Sequence, residues 1–88
     1  MPYIDKESRS YWDDKSKDLI DSIHNNVDPG KMNYIITKLI LKYINSKGIR
    51  YTNYNEAMGI LECVKQELYR KAVAKYEDSK CVDNGEVY

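Results

Sequence analysis

The chain has 88 residues, with 14 basic and 14 acidic side chains balancing to no net charge. That balance excludes a general field pulling it onto a nucleic-acid backbone or an anionic membrane. At this length only a modest core can form, so tight helix packing or a partner subunit must help to offset the entropy of ordering the chain.

No stretch of 18 apolar residues occurs, and Met1-Pro2-Tyr3-Ile4-Asp5 has neither the basic start nor the apolar run of a secretory signal. A cytosolic protein with Cys63 and Cys81 as free thiols is therefore expected. Charge is unevenly spread: residues 31–60 carry 5 basic side chains against 1 acidic, while residues 1–30 carry 4 against 7. Nine tyrosines and no phenylalanine supply large rings with a hydroxyl that wants a partner, a composition suited to half-buried surfaces and interfaces.

The first helix is expected over about 8–24, where Trp12, Ser16, Leu19, Ile20, Ile23 and Val27 recur at three- and four-residue spacing. Its other face is charged, with Asp13, Lys17 and Asp21 spaced for ion pairs four residues apart. Asp14, Asp18 and Asp21 read as solvated charge, and the single histidine, His24, makes no metal site alone.

The second helix spans 29–47, with Asp28 at the N-cap, Pro29 in the first turn and Gly48 closing it; Ile49 is placed for a hydrophobic contact across that ending. Met32, Ile35, Ile36, Leu39, Ile40 and Tyr43 make its apolar face, with Tyr34, Leu41 and Ile44 off-centre and Lys31, Lys38 and Lys42 in the polar stripe. Gly30-Lys31 lacks the remainder of a phosphate loop.

Asn53-Tyr54-Asn55-Glu56 reads as a capping box for a third helix over 54–78. Its apolar residues sort into two stripes: Ala57, Leu61, Val64, Leu68 and Ala72 form one, and Met58, Tyr69, Val73 and Tyr76 the other. A tail, 79–88, follows, with a turn at Asn84-Gly85.

These readings give one all-α domain over 1–88, a small three-helix unit with a C-terminal tail, expected to be oligomeric. Laying the second and third helices antiparallel gathers Lys31, Asn33, Tyr34, Tyr69, Arg70, Tyr76 and Lys80 toward one pole, with Lys38 a further expected phosphate contact. Cations for phosphates and rings for bases would suit a nucleotide-like ligand there, and a wet protein interface uses the same mixture. Glu77, Lys80, Asn84, Val87 and Tyr88 are the expected tail or interface residues. No nucleophile with its base, no catalytic carboxylate pair and no metal cluster can be assembled, so a non-enzymatic protein without cofactor or metal is expected.

The motifs Pro2-Tyr3-Ile4 with Arg9, Gly30-Lys31-Met32-Asn33-Tyr34, Gly59-Ile60-Leu61-Glu62, Tyr69-Arg70, Tyr76-Glu77-Asp78 with Lys80, and Asn84-Gly85-Glu86-Val87-Tyr88 span most of the chain. In these the chain resembles a family of small, functionally unassigned proteins of tailed phages. It departs from the pattern at Leu68, Lys71 and Lys75, where a bulky aromatic, an arginine and a proline are common.

The resemblance implies a phage accessory protein in the cytoplasm of an infected bacterium, and by analogy of lifestyle a counter-defence role. Three functions fit: a homo-oligomer sequestering an anionic nucleotide second messenger, a module that binds and inhibits a host protein, or a minor virion or assembly component.

Overall fold

The computed structural model describes residues 1–88 and is helical without strands. Helix α1 is Lys6–Asp21, α2 is Pro29–Lys47 and α3 is Tyr51–Leu68; a π-helical segment, Tyr69–Val73, and α4, Ala74–Asn84, follow α3 without a break. Two compact units emerge, Pro2–Ala57 and Met58–Tyr88 with Met1.

In the first unit each helix start has a local cause. Asp5 accepts the Ser8 backbone N–H at 2.9 Å and the Ser8 hydroxyl at 3.0 Å, so α1 begins at Lys6, two residues earlier than the expected Ser8. The two hydrogen bonds from Ser8 hold the Asp5 carboxyl below its ordinary range. The helix ends at Asp21, with Ser22 donating back to Leu19, and His24 falls in the turn beyond instead of the last helical turn. Lys17 and Asp21 form the expected ion pair. Asp28 caps α2 as expected, its carboxylate accepting the Lys31 N–H at 2.9 Å with Pro29 in the first turn.

Gly48 ends α2 at φ 112 and ψ 151, a region that side chains with a Cβ scarcely enter, and its N–H reaches the Ile44 carbonyl at 2.8 Å. Ile49 does not make the expected contact; it is 63% exposed. The capping box at Asn53 does not form either. The Arg50 carbonyl accepts the N–H groups of Asn53 and Tyr54, so α3 starts at Tyr51 and Asn53 lies inside it. The Asn53 amide instead donates to the Gly48 carbonyl at 2.8 Å, and Tyr43 donates its hydroxyl to Glu56 at 3.0 Å. These two bonds pin α2 to the start of α3 around the glycine.

The buried residues lie beside that turn. Ile44, which periodicity puts off-centre on α2, is 6% exposed and Ala57 is 3% exposed, and no other residue is buried. Leu39 and Ile36, expected on the inward face, are 58% and 45% exposed. Burial follows proximity to the pinned turn more than the centre of the apolar stripe, because cover begins where the Tyr43–Glu56 bond holds α3 against α2.

In the second unit the helix outruns expectation. The tail does not begin at Ser79: α4 continues to Asn84, and Gly85 closes it at φ 93 with its N–H on the Cys81 carbonyl at 2.9 Å. Lys80 and Asn84 are therefore helical, and only Gly85–Tyr88 lie outside.

Replacing Gly48 with alanine forces a Cβ into a glycine-only conformation and is expected to lower stability by about 1–3 kcal/mol. Gly59 sits mid-helix with no atom within 4 Å of an added Cβ, so Gly59→Ala is expected to raise stability by about 0.5–1 kcal/mol. Urea titration followed by circular dichroism reads both signs.

Candidate functional site

The seven expected ligand residues divide between the two units. Lys31, Asn33, Tyr34 and Lys38 stand on α2; Tyr69 and Arg70 open the π segment and Tyr76 is on α4. At the start of α2, Lys31 and Tyr34 line a surface cleft of about 500 Å³ with Val27, Asp28, Gly30 and Ile35. Asn33 uses its amide oxygen to accept from Thr37 at 3.4 Å, one turn on, and Lys38 lies outside the cleft lining. The same Asp28 that caps the helix stands in this cleft. Its carboxylate meets the N–H that an anion would otherwise use, so the positive end of the helix is already answered.

The second cluster is answered in the same way. Tyr69 and Arg70 line a cleft of about 670 Å³ with Lys65, Gln66 and Glu67. Arg70 pairs with Glu67 one turn back. Tyr69 hydrogen-bonds Glu77, and that carboxylate, by the bond first and its charge next, raises the Tyr69 phenol above its usual value of 10.0. Glu62 is bonded by Gln66 and by Lys65, which lower its carboxyl. Tyr76 is not in this cleft; it is 64% exposed and carries the Lys80 ammonium 5.4 Å from its ring centre.

The tail residues do come together. Glu77, Lys80, Asn84, Val87 and Tyr88 line one groove of about 320 Å³ with Cys81, Gly85 and Glu86. Glu86 folds the last residues over itself, accepting the N–H groups of Val87 at 2.8 Å and Tyr88 at 3.1 Å, and these bonds lower its carboxyl. The Val87 and Tyr88 side chains remain fully exposed.

Sequence reasoning missed the π segment. There the Ala74 N–H reaches the Tyr69 carbonyl, five residues back instead of four. Its nearest signal was the doubled apolar stripe of the third helix, a face broader than a single regular stripe, which does not itself locate the extra residue. The Asn53 tether and the Tyr43–Glu56 bond had no such signal, since both depend on which polar groups the turn at Gly48 brings into reach.

The helices and their open apolar residues define a small all-helical protein. Over residues 1–87 the chain matches the family described as Domain of unknown function (DUF6899), and it belongs to that family. No curated protein and no solved structure matches it. No helix is long and apolar enough to cross a membrane.

The Tyr69–Glu77 bond favours the protonated phenol in the folded chain. Its contribution to stability is therefore present below pH 10 and is lost as the pH rises through the elevated value. In a tyrosine-resolved NMR titration Tyr69 is expected to ionise above pH 10, and Glu77→Gln to return it toward the ordinary phenol value. An unchanged Tyr69 midpoint in that variant would contradict the bond's role.

Proposed function

We propose that this protein is a non-enzymatic binding module that works through protein contacts, associating with copies of itself and presenting its remaining surface to a protein of the host. One observation carries the reading: large apolar side chains lie open on every helix, with only Ile44 and Ala57 buried. Trp12 and Ile20 on α1 are each 58% exposed, as is Leu39 on α2, and Val64 and Leu68 on α3 are 59% and 60% exposed. Helices of this length gain most of their stability by covering an apolar face, and folded monomers rarely leave contiguous apolar patches in water. Tyrosines and a tryptophan among the open residues are the types that anchor protein interfaces. The resemblance to small tailed-phage proteins supplies the setting of this reading, the cytoplasm of an infected bacterium, and a counter-defence role within it.

A second reading, sequestration of an anionic nucleotide, is favoured by the cleft that sets Lys31 beside Tyr34. Asp28 in that cleft and Glu67 on Arg70 weigh against it, because a phosphate would have to displace or tolerate a carboxylate at each place.

Native mass spectrometry of the protein purified from bacterial cytoplasm separates the two. The expected result is an oligomer, alone or with a protein partner, without a nucleotide-sized adduct. An adduct of nucleotide mass that disappears in Arg70→Glu would transfer the function to sequestration, and a bare monomer with no protein partner would remove the support for protein contacts.

A further inference from the structure

Asn84-Gly85 is a turn signal in the sequence to which partner contacts give no role, and its chemistry sets it apart. An asparagine side chain can be attacked by the backbone nitrogen that follows it, closing a five-membered ring. The attack needs an unshielded nitrogen, and glycine has no Cβ to stand in the way. Of the seven asparagines only Asn84 precedes a glycine. Asn33, Asn45, Asn53 and Asn55 lie inside helices, and two of these have their amides engaged, Asn33 with Thr37 and Asn53 with the Gly48 carbonyl. Asn25 and Asn26 sit in a turn, but the residues after them, Asn26 and Val27, carry side chains that crowd the nitrogen.

The structure puts Asn84 where the helix gives out. It is the last residue of α4 and is exposed, and Gly85 beyond it takes φ 93 and ψ 151. No atom stands within 4 Å of the place a Cβ on Gly85 would occupy, so its nitrogen is open on that side. The restraint on that nitrogen is the bond its N–H donates to the Cys81 carbonyl at 2.9 Å. While the bond holds, the nitrogen faces back along the helix with its proton retained, and the ring cannot close. A hydrogen bond at the very end of a helix opens at little cost.

We propose that Asn84 is the site of a spontaneous, one-way modification of this chain, with the Gly85–Cys81 hydrogen bond as its gate. When the bond opens, the Gly85 nitrogen attacks Cγ of Asn84. A bond forms between that nitrogen and Cγ, the bond from Cγ to Nδ2 breaks, and Nδ2 leaves as ammonia with the proton that Gly85 gives up. Water then opens the cyclic imide at either carbonyl, giving isoaspartate, with the main chain running through Cγ, or aspartate, with the original chain restored. Neither product rebuilds the original helix end. Isoaspartate inserts one extra main-chain carbon before Gly85, and aspartate adds a negative charge between Asp83 and Glu86 at a helix C-terminus, where the helix dipole opposes it. The groove that Asn84 lines with Glu77, Lys80 and Glu86 thereby gains a carboxylate.

The test incubates the full-length protein at neutral and at mildly alkaline pH, folded and in guanidinium chloride. Peptide mass spectrometry follows each asparagine, with fragmentation that separates isoaspartate from aspartate. Both products are expected to accumulate at Asn84 ahead of every other asparagine, and faster at the higher pH because the attacking nitrogen must lose its proton. The folded chain is expected to react roughly 2- to 10-fold more slowly than the unfolded one, the retardation that a single hydrogen bond provides. Amide hydrogen exchange at Gly85, read by NMR, is expected to be slowed by the same factor, since both reactions pass through the same open bond. Asn84→Gln, which would have to close a six-membered ring, is expected to stay unmodified. An Asn84 that survives in the folded chain while the unfolded chain converts, or conversion spread evenly over the asparagines, would overturn the site. Equal rates in the folded and unfolded chains, or a retardation that Gly85 exchange does not share, would overturn the gate. None of these outcomes depends on whether the open apolar faces take a partner.

Discussion

A helix in water holds its shape chiefly by what it lays its apolar face against, and in this protein that cover is concentrated at one place. Gly48, in a backbone conformation reserved for glycine, turns the chain so that Asn53 can bond its carbonyl and Glu56 can take the Tyr43 hydroxyl. Ile44 and Ala57, on the two helices joined there, are the buried residues. Away from that turn the apolar side chains are written in helical register and left open. Folded monomers rarely leave contiguous apolar patches in water, and the proposed partner contacts rest on that exposure.

The electrostatics point the same way. A protein without net charge that binds anions needs local cations held clear of acids, yet Lys31 shares its cleft with Asp28 and Arg70 is joined to Glu67. Carboxylates and cations interleaved at helical spacing favour specificity between polypeptides more than capture of phosphate. Tyrosine fits such surfaces, since its ring covers area while its hydroxyl can satisfy a carboxylate, as Tyr43 does with Glu56 and Tyr69 with Glu77.

Much of the local structure was legible in the sequence. Asp28-Pro29 announced the start of α2 and Gly48 its end, because caps and left-handed glycines depend on a few neighbouring residues; Asn84-Gly85 reads as a turn within a tail, whereas Gly85 closes a helix that runs to Asn84. The α1 cap was overlooked although Asp5 precedes Ser8 by three, the spacing that such a cap requires. The Asn53 capping box failed because a competing acceptor, the Arg50 carbonyl, started the helix sooner. Which apolar residues are covered was less legible still: helical periodicity ranks a face, but the burial of Ile44 and the exposure of Leu39 follow from where α3 is pinned. Among the expected site residues, the tail group lines one groove, while the ligand group is shared between two units with separate surroundings.

The π turn also changes how the length of this helix is to be understood. Between Tyr69 and Val73 the chain holds one residue more than a regular helix of the same rise would need. Loss of a single residue inside that segment would relax the wide turn into ordinary helix and leave Val64, Leu68 and Tyr76 aligned. Loss of a residue elsewhere between Val64 and Tyr76 would rotate one half against the other and scatter them. Between Val64 and Tyr76, tolerance of a one-residue deletion is thus confined to the five positions of the wide turn, and the helix there behaves as a spacer whose length can be reset without altering the surface it presents.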